Sequence, residues 1–472
     1  MTPRVVVLGA GPAGLGAAYQ LTSRGVAHVT ALEQHRCVGG NAGSFDLEGM
    51  RVDYGSHRLH PACDPAILAD LRRLVGDDLL LRPRHGRIRL RKRWIHFPLE
   101  PADLAMHLPP SFVLAAGRDL AMRPFARRRA SEETFATVLE AGLGHTMCRW
   151  FYFPYAKKIW GVDPDELSPA QARRRVSAGS PAALLRKVLH AVPGFKPPGA
   201  GSYYYPRRGY GQISECLAAA VRGAGGEILL GARAGAVEHN GQRVTAVRYG
   251  SGGAERRIET GHVWSTLPIG ALVQSLHPPA PPEVVDAARA ISFRGLLLVY
   301  LVLEQDRFTE YDAHYFPDGD LPLARLSEPK NYSMTGEPGG VTVLCGEVPS
   351  DPGSAEWQAG DEALGQMLCE WLARAGLPVR SRVRRVVTRR LPHAYPIYRR
   401  GYEANLAKME RWLEGLEGLL TFGRQGLFAH DNLHHALFMA YSAAACFQAG
   451  GTFDHAKWRG FRKIFDTHVV ED

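Results

Sequence analysis

The tightest constraint on the fold lies in residues 4–33. Arg4–Leu8 (RVVVL) is a short β-branched apolar run, the pattern of a strand buried on both faces. It runs straight into Gly9-Ala10-Gly11-Pro12-Ala13-Gly14, a G-x-G-x-x-G turn. Ala13–Ser23 reads as a helix that Gly25 ends, and His28–Glu33 as a second strand closing on an acid. Each glycine has its own task. Gly9 permits the tight turn, Gly11 lets the backbone approach a pyrophosphate, and Gly14 lets the helix pack close to the strand. The helix N-terminus then offers N–H donors to phosphate. Glu33, with Gln34 beside it, stands where an acid grips the adenosine ribose hydroxyls. Its charge repels a 2′-phosphate, which leaves FAD or NAD as the dinucleotide. A lone glycine motif says little; strand, glycines, helix, strand and acid in register say much.

The residues that follow decide between the two. Gln34–Phe45 (QHRCVGGNAGSF) carries the pair Gly39-Gly40, with Asn41 next. Val52-Asp53-Tyr54-Gly55-Ser56-His57 has the pattern D-x-G-x-H. Phe151–Val176 contains a run close to Y-x-x-K-x-W-G-x-x-P, and Tyr205–Gly211 reads Y-P-x-x-G-x-G. Tyr395-Pro396-Ile397-Tyr398 precedes Gly423-Arg424-Gln425-Gly426. Together these segments resemble the amine oxidase, protoporphyrinogen oxidase and UDP-galactopyranose mutase superfamily of FAD proteins. The resemblance covers most of the chain. It differs at Asn41, where the group usually has Arg or Thr, and at His434, where it often has an acid.

The resemblance implies FAD as cofactor and a set of residues that hold it. The first turn and strand supply Gly9, Gly11, Pro12, Ala13, Gly14, Glu33 and Gln34. The double-glycine loop and the segment after it supply Gly40, Asn41, Ser56 and His57. Val237, in a strand over 236–238, flanks the adenine, and Thr266 lies in the turn Ser265-Thr266-Leu267-Pro268 of the same domain. Gly423, Arg424, Asn432 and Leu433 face the flavin pyrimidine, where the N-terminus of a terminal helix favours the negative charge of reduced flavin. His57 and Arg424 are the catalytic candidates. His57 is placed to tune proton traffic at the flavin face, and Arg424 offers a rigid fork to cofactor or an anionic substrate. Tyr155, Lys158 and Trp160 form an aromatic and basic cluster that either stacks and neutralises a substrate or packs the small domain. Arg175 is a further substrate candidate, and Tyr205 and Tyr398 are aromatic candidates near the domain junction.

Other chemistries fit poorly. His430, His434 and His435 have no acid or Cys partner at zinc spacing, so no metal is expected. No G-x-S-x-G elbow exists, which argues against a serine hydrolase. No second G-x-G-x-x-G marks an NAD(P)H site. The stretch Leu104–Arg129 is mildly amphipathic with a basic end, suited either to peripheral membrane contact or to covering a substrate cavity.

Composition sets the scale. The 472 residues are 45% hydrophobic, enough for two or three cores. A net charge of +10 suits an anionic ligand or membrane surface. Nucleic acid is disfavoured, because the arginines are spread along the chain without a recognition motif. The small-molecule substrate is accordingly anionic or lipophilic. Seven cysteines without a C-x-x-C pair point to a reducing compartment, and no leader or spanning segment is read, so the expected location is cytoplasmic.

The expected architecture is α/β: a Rossmann-like FAD-binding domain interleaved with a mixed-sheet and helical substrate domain. Residues 1–60, 205–285 and 395–472 form the first. Residues 61–204 form a helical cap and 286–394 a mixed sheet. Between Arg82 and Gly201 the sequence predicts helices and loops, with one helix over 132–158, another over 182–191 and a linker over 192–205. The expected function is an FAD-dependent oxidoreductase of the oxidase, dehydrogenase or desaturase type, moving hydride from an organic substrate to flavin N5. The alternative is a non-redox UDP-galactopyranose mutase-like flavoenzyme acting on a nucleotide sugar.

Overall fold

A computed structural model describes residues 2–99, 101–122, 132–178 and 201–470. The glycine turn sits at the end of a five-stranded parallel sheet. Its order is Leu419–Thr421, His262–Ser265, Arg4–Leu8, His28–Glu33, Glu227–Leu230. The first strand shows why both faces are apolar. Val5 and Val7 point into one core with the helices Pro12–Ser23, Gln212–Gly223 and Leu433–Ala445. Val6 and Leu8 point into another with Ile269, Met409 and the antiparallel strands Arg233–His239 and Val244–Ser251. Alternation along a strand thus divides the layers. The helix Pro65–Val75, capped by Asp64, adds Ile67, Leu71 and Val75 to the first of these cores, although its sequence lies in the stretch read as a cap.

A second, seven-stranded sheet is mixed. Ser292–Leu303 is second from one edge, pairing antiparallel with both Thr342–Ser350 and Val383–Ile397. Leu297, Val299, Leu301 and Leu303 pack on Leu364, Leu368, Trp371 and Leu372. Leu296, Leu298, Tyr300 and Val302 pack on Leu47, Met50 and Val52. This second face brings the sheet against the hairpin of Ser44–Leu47 and Met50–Asp53.

Three strands stand where helices and loops are expected: Leu79–Pro83, Gly86–Leu90 and Arg93–Phe97. The last two form a hairpin closed by Arg91 and Lys92, at φ of 52° and 63°. Such a turn normally announces itself by Asn-Gly, and this one does not. Ser202–Pro206, read as linker, is a strand paired with Leu79–Pro83. The helix expected over 132–158 is broken at Gly144, whose φ is 85°, into Phe135–Leu143, a short π-helical stretch Cys148–Tyr152 and Phe153–Trp160. The helix over 182–191, residues 192–200 of the linker and the basic end of Leu104–Arg129 lie outside the described residues. Among the described residues no helix is long and apolar enough to cross a membrane.

Candidate functional site

One cavity of about 1040 Å³ is lined by residues of both sheets. Gly9, Gly11, Pro12 and Ala13 line it from the first turn, and Glu33 and Gln34 from the end of the second strand. Gly9 has φ of 101°, and a Cβ there would stand 2.4 Å from Thr266 Oγ1. Gly14 is held to the helix–strand contact, because its Cβ would lie 1.9 Å from the Gly9 carbonyl oxygen; it does not line the cavity. Gly11 differs. The atoms nearest its absent Cβ are at 3.9 and 4.0 Å, in Gly39 and Gly40, so the open volume in front of it is bounded by glycine. No side chain caps the helix that begins at Pro12, and its leading N–H groups remain for a ligand. Glu33 is buried and oriented: Oε2 accepts the Ala10 N–H and Oε1 the His35 N–H, each at 2.9 Å.

The loop after the second strand brings Gly40 and Asn41 to the same cavity, and the segment after the strand Met50–Asp53 brings Ser56 and His57. His57 Nε2 faces the carbonyl oxygens of Asn41 and Tyr54, both at 2.9 Å, and its ring stacks on Tyr210. Two carbonyl partners mean that Nε2 carries the proton and Nδ1 the lone pair. Burial pulls the His57 pKa down, against the pull of Asp53 and Glu347, so the ring is neutral near pH 7. Behind it Asp53 accepts from Ser44 Oγ (2.5 Å), Tyr205 OH (2.6 Å) and Tyr210 N–H (2.8 Å), which fixes the loop.

Thr266, Arg424, Asn432 and Leu433 also line the cavity. Arg424 Nη2 donates to the Ala394 carbonyl at 2.7 Å and its guanidinium lies 5.8 Å from the Tyr395 ring centre. Gly423 is buried beneath this turn, with φ of 81°. Like Gly14 and Gly423, Val237 does not line the cavity. Its side chain is 0% exposed in the core, and Ala232, Arg233, Ala234 and Gly235, at the strand's entry, line the cavity instead.

The substrate candidates divide. Tyr155 lines the cavity. Lys158 does not: its ammonium is turned into a loop, donating to the carbonyls of Phe316, Asp318 and Leu323. Trp160 is buried against Phe135. Tyr205 is spent on Asp53, and Tyr398 OH accepts the His430 N–H at 2.7 Å. None of these four lines the cavity. The backbone of Arg175 lies in the helix Pro169–Ala178, and its side chain is outside the described residues.

Three charged residues missed in the sequence lie at the cavity wall. Arg325 and Glu347 form a bidentate pair, and Arg58 donates to Tyr315 OH at 2.5 Å and Tyr332 OH at 3.1 Å. One signal for Glu347 was available: an acid inside the apolar run VTVLCGEV has to find a buried cation.

A family model described as flavin containing amine oxidoreductase matches residues 12–428. The chain belongs to this family. FAD is accordingly its cofactor, and the uncapped helix, the glycine-bounded space at Gly11 and the oriented Glu33 carboxylate suit the pyrophosphate and ribose of that molecule. Protoporphyrinogen oxidase 2, chloroplastic/mitochondrial, of Arabidopsis thaliana is 30% identical over 183 residues, 35% of this chain and 34% of that protein. The aligned stretch thus spans about a third of the relative. Among solved structures, reduced UDP-galactopyranose mutase superposes at a TM-score of 0.76 with 19% identity, over 94% of this chain and 93% of that one. Cyclohexylamine oxidase from Brevibacterium oxydans IH-35A gives 0.66 with 17% identity, over 98% and 100%. These likenesses establish the fold: a Rossmann-like FAD-binding domain within a mixed α/β chain.

Proposed function

We propose that this family member is an oxidase, dehydrogenase or desaturase that takes hydride from an organic small molecule. One observation carries the reading: a single cavity is lined by Gly11 and Glu33 and also by Asn432 and Leu433. Two helix N-termini therefore open on the same space, one suited to pyrophosphate, the other to negative charge that develops during reduction. Bound FAD supplies the hydride acceptor. His57 and Arg424 are the proposed catalytic residues. His57 presents a neutral ring whose Nδ1 can accept a proton, and its Nε2–H keeps the ring fixed on two carbonyls. Arg424 offers positive charge beside Tyr395, and Tyr155 closes the substrate side. In this reading residues 1–60, 205–285 and 395–472 make the cofactor domain, joined by Pro65–Val75; the rest of 61–204 and 286–394 shape the substrate side.

The arginines favour a second reading. Arg389 and Arg424 line the cavity together, and a nucleotide sugar needs such a pair for its pyrophosphate. Mutase chemistry on UDP-galactopyranose would use them. The test is anaerobic. The dithionite-reduced protein is mixed with UDP-galactose and the sugar is followed by chromatography. Furanose formation without net flavin oxidation defeats the oxidoreductase reading. Bleaching of the oxidised flavin by an organic donor, with no furanose formed, supports it.

A further inference from the structure

Asp431 stands just ahead of the helix Leu433–Ala445, and its side chain is 1% exposed. Oδ2 meets His468 Nδ1 at 2.9 Å. Oδ1 has no hydrogen-bond partner among the described residues and lies 3.9 Å from His435 Nδ1. His435 and His468 stack face to face, ring centres 4.2 Å apart and 14° between planes, with side chains 12% and 9% exposed. One donor atom from each of the three residues lies within 4.8 Å of the others.

A buried carboxylate oxygen without a donor is costly. A protonated His468 would satisfy Oδ2 and leave Oδ1 as it is. A cation held between the three side chains satisfies the carboxylate and uses both imidazoles in their neutral form. We propose that Asp431, His435 and His468 bind one divalent first-row transition ion of the zinc class, with water completing the coordination. Two imidazoles and one carboxylate suit such an ion, whereas magnesium and calcium call for oxygen ligands. Ligand bonds of about 2.0–2.2 Å require the donors to draw inward, with His435 Nδ1 giving up the Asn432 N–H that it accepts at 3.3 Å. The sequence spacing that matters is 431 to 435, one helical turn, with the third ligand supplied from residue 468 by the fold. The ion would staple the terminal segment, whose Val470 lines the cavity, to the base of the flavin-side helix.

The test uses the full-length FAD-loaded protein. After chelation and desalting, zinc is titrated calorimetrically and the retained metal is counted by elemental analysis. One zinc per chain is expected. His468→Ala and Asp431→Asn should weaken binding by roughly 10- to 100-fold or more, while His28→Ala, at an exposed position, should bind as the parent does. Each variant is first shown to keep its flavin spectrum and its metal-free unfolding temperature. His468→Ala alters a terminal segment, so it remains informative if Asp431→Asn fails to fold. No stoichiometric zinc in the parent, or binding undiminished in His468→Ala, overturns the proposal.

Discussion

Arg325 grips Glu347 through two parallel bonds, Nε to Oε1 at 2.9 Å and Nη2 to Oε2 at 2.8 Å, while the same carboxylate accepts the Ser56 N–H at 2.6 Å. Strand, strand and the loop of Ser56 are thereby tied at one buried acid, 2% exposed. Glu347→Gln keeps the shape and removes the charge, leaving the Arg325 guanidinium without its counterion. We expect a loss of roughly 3–5 kcal/mol in urea denaturation, with weaker FAD retention because the bond from the Ser56 N–H then ends on a neutral amide oxygen no longer held by Arg325. A loss under about 1 kcal/mol would show that water replaces the pair.

His57 gives a sharper functional test. His57→Ala should retain stoichiometric FAD, since it removes only the two bonds from Nε2–H to the Asn41 and Tyr54 carbonyls, and should slow flavin reduction by about 10²–10⁴-fold. Stopped-flow reduction by substrate measures this. The pH profile follows from the sign of its shift. A pKa below 6.5 keeps the ring neutral through the physiological range, so the His57-dependent limb should fall only at pH below the ordinary histidine range. Full activity loss already at pH 7 would contradict the neutral ring.

For Lys158 the structure predicts stability and not substrate binding. Its ammonium organises the loop carbonyls of Phe316, Asp318 and Leu323, although burial pulls its pKa to about 8. Lys158→Met should lower stability by about 1–3 kcal/mol and leave KM within experimental error. A large KM increase at unchanged stability would return Lys158 to the substrate pocket.

His314 makes the fold acid-sensitive. It is buried between Trp94 and Tyr311, and burial, with Arg87 nearby, pulls its pKa to about 3. The unfolded chain binds this proton below pH 6.5 and the folded chain does not. Stability is therefore full above pH 6.5 and falls as pH drops toward 3, at about 1.4 kcal/mol per unit for this group alone. Denaturant midpoints for the parent and His314→Gln should converge as pH falls. Parallel curves would rule out the group.

Gly11 and Gly14 should separate cofactor binding from folding. Gly14→Ala drives a methyl to within 1.9 Å of a carbonyl oxygen and should abolish soluble folded protein. Gly11→Ala has 3.9 Å of clearance from protein atoms, so it should fold with the far-UV circular dichroism of the apoprotein and yet stay colourless with excess FAD. Yellow Gly11→Ala protein would refute the assignment of this position to the pyrophosphate.

The cofactor end was legible because its signals are local: a buried strand, glycines whose spacing follows from one turn, and an acid closing the next strand. The terminal helix was legible for the same reason. Val237 lies in the core while Ala232–Gly235 line the cavity, a difference hard to read because a strand and its entry loop look alike in sequence. Lys158 and Trp160 carried the right residue types for a substrate site, yet the carbonyl cage and the Phe135 contact that claim them come from distant segments. The strand at Gly86–Leu90 was hidden by arginines that alternate with its buried Ile88 and Leu90 and by a turn built from Arg91 and Lys92. Glu347 and Arg325 meet only through strand register, which no local spacing encodes.

The order of the parallel sheet also dictates when colour can appear during synthesis. Arg4–Leu8 is made first, but its neighbour His262–Ser265 emerges some 250 residues later, and the edge strand Leu419–Thr421 later still. A ribosome-bound chain lacking residues beyond 418 offers the glycine turn without the sheet edge or the last helix that wall its ligand. Until those segments leave the exit tunnel the nascent domain must wait with Val5, Val7 and Leu437's future contacts uncovered, a stretch of translation in which chaperone cover matters most.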